Sequence, residues 1–155
     1  KPGLLLNAKR NIRHSFLFLY YKKMEIHFKI IGVLLILLAL VHLTFPKYFN
    51  WPEELKTLSL VNRQMMIVHT FFIGLVLVLM GLLCLTSAGE LLHSGIGRKI
   101  CLGLGIFWLT RLYVQFFVYS PELWKRKSFE TTIHYAFSIL WTYLSVVFLT
   151  AYFIP

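Results

Sequence analysis

Apolar residues in this chain gather into four long blocks, at residues 30–45, 65–86, 100–119 and 131–154, and every charged side chain except Arg111 lies outside them. The blocks show neither the alternation of a half-buried strand nor the stripe of a soluble amphipathic helix. Runs of this length approach the roughly 20 residues of helix that cross a bilayer. Backbone groups in lipid need internal partners, so four runs predict four helices, and the absence of short alternating strands excludes a closed barrel. The first block is the shortest and must borrow residues 26–29, with Lys29 snorkelling toward the headgroups. The predicted spans are about 26–45, 62–86, 100–119 and 130–153.

The stretches between the blocks carry the expected punctuation. Pro46 is predicted to stop the first span, because proline has no N–H and biases its predecessor away from helix. In the loop that follows, Tyr48, Phe49 and Trp51 are placed as an interfacial aromatic belt, and Pro52-Glu53-Glu54 reads as the first turn of a short helix with acids at its positive end. Gly74 and Gly81, seven apart, predict close approach of another helix, as do Gly103 and Gly105. Residues 87–99 read as a glycine-bearing loop. Pro121 closes the third span, and Lys125-Arg126-Lys127 forms a basic knot beside Trp124. Residues 1–23 are basic, free of acids, and hold one apolar patch at 15–21 that is too brief to span. Met24-Glu-Ile-His, directly before the first span, reads as a natural start, so residues 1–23 are expected to be an extension and residues 24–155 a single transmembrane domain.

Short links force consecutive spans to alternate in direction, which predicts an all-α, up-down-up-down four-helix bundle. Such threading brings the end of span 1, the start of span 2, the end of span 3 and the start of span 4 to one membrane surface. Those ends carry His42; Asn62, Arg63, Gln64 and His69; Trp108, Arg111 and Gln115; and Glu130 and His134. Ionisable groups inside a membrane cost about 2.5–3.5 kcal/mol each on insertion scales and mark a functional site by default. The expected site is therefore a polar pocket of Asn62, Arg63, Gln64, His69, Trp108, Arg111, Gln115, Glu130 and His134.

Composition narrows the chemistry. With 58% hydrophobic and 14% charged residues among 155, the chain is too apolar for an ordinary soluble domain. The net charge of +10 belongs to loops and helix ends, where anionic headgroups are the natural neighbours and nucleic acid is not. Cys84 and Cys101 lack C-x-x-C spacing and read as core residues. The chain has no aspartate, no G-x-S-x-G elbow and no P-loop, so triads and carboxylate-pair hydrolysis have no support. Three readings of the pocket remain. His42, His69, Glu130 and His134 offer donors for a divalent metal, or two of the histidines offer axial ligands for a haem whose propionates meet Arg111 or Arg63. His69, Arg111 and Trp108 offer a seat for a quinone, a lipid headgroup or another small molecule. Glu130 paired with Arg111 or Arg63 offers a structural clamp with no ligand.

The segments Phe45-Pro46-Lys47-Tyr48-Phe49-Asn50-Trp51, Asn62-Arg63-Gln64-Met65-Met66 with His69-Thr70-Phe71-Phe72, and 111–124 resemble a group of small four-span bacterial membrane proteins with no assigned activity. The resemblance covers Met24 onward and implies a bacterial inner-membrane location. A bundle this small is expected to act as a binding or accessory subunit beside a partner or a second copy of itself, and whether it is an enzyme stays open. With residues 1–23 counted, Lys and Arg narrowly favour cytoplasmic termini; without them the pocket side is denser, which predicts a cytoplasmic pocket surface, the orientation expected.

Overall fold

The computed structural model describes residues 2–125 and 127–153, of which residues 2–10 and 12–14 as backbone alone. Lys1, Arg126 of the expected basic knot and Ile154 lie outside them. Every regular element among the described residues is a helix: α1 (Pro2–His42), α2 (Phe45–Tyr48), α3 (Trp51–Glu54), α4 (Leu60–Thr86), α5 (Ala88–His93), α6 (Gly95–Phe117), a 3₁₀ turn (Pro121–Leu123) and α7 (Ser128–Phe153). Four segments are long and apolar enough to cross a membrane: Ser15–His42 of α1, α4, α6 and α7.

Several boundaries differ from expectation for local reasons. Helix α1 continues unbroken through Met24, so the patch at 15–21 shares a helix with the first apolar run, with Lys22, Lys23, Glu25 and Lys29 between them. It ends at His42, before Pro46, in a turn where the Thr44 hydroxyl donates to the Val41 carbonyl at 2.7 Å. Pro46 sits instead in the first turn of α2, where its missing N–H costs nothing. Asn50 adopts the left-handed conformation (φ 45°) and reverses the chain between α2 and α3. Helix α3 holds Pro52, Glu53 and Glu54 in its first turn, as read from the sequence. The stretch 87–94, expected as loop, contains α5, and α6 starts at Gly95 because Ser94 caps it, accepting from the Gly97 N–H at 2.8 Å.

The chain divides into two compact units, one of Ile26–Ala88 and one of residues through Glu25 with the chain from Gly89 onward. Within the first unit, α1 and α4 run antiparallel and meet at glycines. A Cβ on Gly81 would lie 2.9 Å from the Gly32 carbonyl oxygen and 2.8 Å from Ile36 Cγ1, so the two backbones nearly touch there. Gly74 is looser, since a Cβ there would meet His42 Cβ at an ordinary 3.8 Å. Phe28, Ile31, Leu35 and Leu38 recur at helical spacing as the buried face of α1, while Val33, Leu37 and Leu40 are exposed.

Within the second unit, α6 and α7 form an antiparallel hairpin. Arg98 Nη2 donates to the Tyr152 carbonyl at 3.1 Å near one end, and Gln115 meets His134 near the other. Between them a Cβ on Gly105 would lie 2.7 Å from Leu149 Cδ2, whereas Gly103, expected to make a similar approach, has nothing within 4 Å. Gly97 is seated against α5, where a Cβ would collide with the Glu90 carbonyl oxygen and Leu91 Cα.

Two glycines only six residues apart therefore respond oppositely to the same change. Gly97→Ala must push backbone apart and is expected to lower stability by about 1–3 kcal/mol. Gly103→Ala meets open space and is expected to be neutral or stabilising by up to about 1 kcal/mol through helix propensity. Thermal unfolding of both variants in detergent checks the contrast.

Candidate functional site

The α6–α7 hairpin brings together four of the expected pocket residues. Trp108, Arg111 and Gln115 share one face of α6 at i, i+3 and i+7, and His134 lies opposite on α7. The Arg111 guanidinium donates to Gln115 Oε1 at 3.2 Å, and Gln115 Nε2 lies 2.8 Å from His134 Nδ1. Gln115 and His134 are 7% and 8% exposed, so this chain of bonds runs inside the protein. Arg111 cannot accept a hydrogen bond, so the amide must turn its oxygen toward Arg111 and its NH₂ toward the histidine. His134 Nδ1 is then the acceptor, and a neutral ring carries its proton on Nε2.

Aromatic rings enclose this relay. The guanidinium carbon lies 5.1 Å from the ring centroid of Trp141 and 5.4 Å from that of Tyr119, within the range of cation–π attraction. Trp141 stacks on Trp108 with centroids 5.0 Å apart and planes 10° from parallel. Trp124 stacks on His134 at 4.0 Å and 13°. Its segment is tied to α7 by the Thr131 hydroxyl, which donates to the Trp124 carbonyl at 2.7 Å.

The chemistry of the group is one-sided. The Nε1 atoms of Trp108 and Trp141 are buried with no hydrogen-bond partner among the described residues. Leaving such a donor unpaired costs about 1–3 kcal/mol. Arg111 adds further N–H groups and His134 its Nε2–H. The hydroxyls of Ser138 and Ser145, on the same face of α7, are spent on the carbonyls of His134 and Trp141. The cluster therefore presents donors and positive charge without a carboxylate, and suits a guest rich in acceptor oxygens.

The remaining expected residues behave differently. Among the described residues the only ion pair joins Lys56 to Glu53 at 2.7 Å, so within its own unit Glu130 does not clamp Arg111. The guanidinium of Arg111 is occupied by the Gln115 amide and two ring faces, which draw it without a carboxylate. Asn62, Gln64 and His69 are exposed and Arg63 is partly exposed. His69 Nδ1 donates to the Met65 carbonyl of its own helix at 2.8 Å, and His42 Nδ1 to that of Leu38 at 2.8 Å. Among the described residues no group of three His, Cys, Asp or Glu is gathered to hold a metal; of the expected ligands, His42 and His69 belong to one unit and Glu130 and His134 to the other. Cys84 and Cys101 are buried and outside any disulfide.

Sequence reasoning placed Trp141 with His134 on the inward stripe of the fourth span without assigning it to the site, and it left out Trp124 and Tyr119. Trp141 lies seven residues after His134, a spacing that places both on one face of α7. Trp124 is ten residues before His134 across a turn, and no periodicity links them. No family model matches the chain, and neither curated proteins nor solved structures supply a counterpart.

Replacing Gln115 isolates the relay. Gln115→Met keeps the volume but leaves His134 Nδ1 without its donor, and is expected to cost about 1–3 kcal/mol in thermal or denaturant unfolding. In the unaltered protein, ¹⁵N NMR of labelled histidine is expected to show His134 with its proton on Nε2, and a proton on Nδ1 would contradict the amide orientation derived above.

Proposed function

We propose that this chain is a small integral membrane protein of a bacterial inner membrane, its four long helices threaded up-down-up-down, and that it binds an anionic lipid headgroup at Arg111. The reading makes it a binding or accessory protein. The observation that carries it is a half-buried guanidinium with no carboxylate partner among the described residues, set beside buried indole donors and held between aromatic faces.

Depth supports a headgroup over a soluble anion. Arg111 lies six residues before the end of α6, about 9 Å along the axis at 1.5 Å per residue. On the proposed threading its backbone lies just inside the hydrocarbon, and the side chain reaches toward Tyr119 and the level of phosphates and ester carbonyls, where Tyr119 and Trp124 act as interfacial anchors. Exposed Lys125 and Lys127 add long-range attraction for acidic lipid. Apolar exposure supports the membrane itself: Phe71, Phe72, Ile106, Ile139 and Val146 are all exposed, and contiguous apolar surface on this scale needs a cover.

A metal or haem reading draws less support. A ligating imidazole needs a bare nitrogen, and the Gln115 amide occupies that of His134, leaving the protonated one.

Native mass spectrometry of detergent-released protein tests the lipid reading. The unaltered protein is expected to retain phosphatidylglycerol over phosphatidylcholine, and Arg111→Gln to weaken that preference about tenfold, the scale of a lost charged hydrogen bond. Equal retention of the two lipids, or a preference untouched by Arg111→Gln, would sink the proposal. Topology is separable: a cysteine at Ser120 is expected to resist an impermeant maleimide in intact spheroplasts, as a cytoplasmic site would, and labelling from outside would reverse the orientation.

A further inference from the structure

A second site emerges in the unit of Ile26–Ala88, independent of the hairpin. Helix α1 stops at His42, the chain reverses at Asn50, and Trp51 returns to face the opening turns of α4. These elements border a half-open cavity of about 350 Å³, within the lower range of small-ligand sites. Its wall is almost wholly apolar, with Ala39, Pro46, Phe71 and Gly74 among its residues, and Gly74 leaves room that a side chain would fill.

Three lining residues carry polar atoms, and their hydrogen bonds decide what they offer. His42 Nδ1 faces the Leu38 carbonyl at 2.8 Å. A carbonyl only accepts, so Nδ1 carries the proton, and Nε2 of the neutral ring is a bare lone pair with no partner among the described residues. Thr70 has spent its hydroxyl hydrogen on the Met66 carbonyl at 3.0 Å and keeps only lone pairs. Trp51 also lines the cavity and carries an indole N–H. The cavity thus combines an apolar body with acceptors and one donor, the complement of a hydroxyl group. A ketone or an ether uses only the donor and leaves His42 unmatched, and a cation finds no carboxylate.

We propose that this cavity binds an apolar molecule bearing a hydroxyl, which donates to His42 Nε2 while its hydrocarbon part fills the space beside Gly74. Membranes hold two sources of that chemistry, long-chain or isoprenoid alcohols and quinols, and both share the hydroxyl on an apolar body.

Three probes separate the possibilities by native mass spectrometry: farnesol, farnesyl methyl ether and a decyl-substituted benzoquinol. The unaltered protein is expected to hold farnesol at least about fivefold more tightly than the ether, the worth of one hydrogen bond. His42→Phe keeps a ring against Phe45 and is expected to bring the alcohol and the ether level. Stronger retention of the benzoquinol than of farnesol identifies the quinol source, and the reverse identifies the alcohol. Gly74→Leu fills the cavity and is expected to abolish retention of all three. Equal binding of farnesol and its ether to the unaltered protein, or no retention of either hydroxyl probe, overturns the proposal, and this comparison needs no variant to fold.

Discussion

The side-chain amide of Gln115 has one orientation open to it, and the polar interior of the α6–α7 hairpin follows from that restriction. Its oxygen must face Arg111, its NH₂ must face His134, and the histidine must receive on Nδ1. Each of the three groups is a poor tenant of an apolar interior by itself. Together they form a directed chain in which every member has a partner, and the stacked rings of Trp124, Trp108 and Trp141 shield it from both sides. A carboxylate at this position would neutralise Arg111. The amide instead orients the guanidinium and leaves its charge in place, available to whatever approaches.

Helix packing supplies the precision that such a chain needs. A hydrogen bond of 2.8 Å between two long helices tolerates little drift, and the glycine seats at 97 and 105 fix how closely α5 and Leu149 approach α6. In the other unit, Gly32 and Gly81 play the same part for α1 and α4. Where no seat exists, as at Gly103, a glycine is merely a gap in the side-chain surface.

The sequence exposed the helices readily because apolar run length is a one-dimensional signal, and the four predicted spans overlap the four long helices. Their ends were less legible. Proline at 46 suggested a stop, yet the helix had already ended at His42, and the proline started the next element. In the site, Trp108, Arg111, Gln115 and His134 were readable from helical spacing and from the cost of polar groups in apolar runs. What spacing could not reveal was partnership. Glu130 was the obvious mate for an arginine by charge, but Arg111 is drawn to ring faces and an amide, and Trp124 reaches His134 only because Thr131 secures its segment. Equally, His69 shares its run with no visible blemish in the pattern, yet its ring is exposed and turned back on its own helix.

Hydroxyl groups along the long helices bond back to carbonyls one turn earlier, as Thr70, Thr86, Thr110, Thr132, Ser138, Thr142 and Ser145 all do. Each of those side chains is satisfied within its own segment. On the proposed membrane threading they place no constraint on the order in which segments leave the translocon, since none awaits a neighbour. Gln115 and Arg98 differ: emerging with α6, their donors meet His134 and the Tyr152 carbonyl only when α7 follows. On that threading the third segment completes its buried hydrogen bonds only when the fourth is made, which favours insertion of the hairpin as a pair.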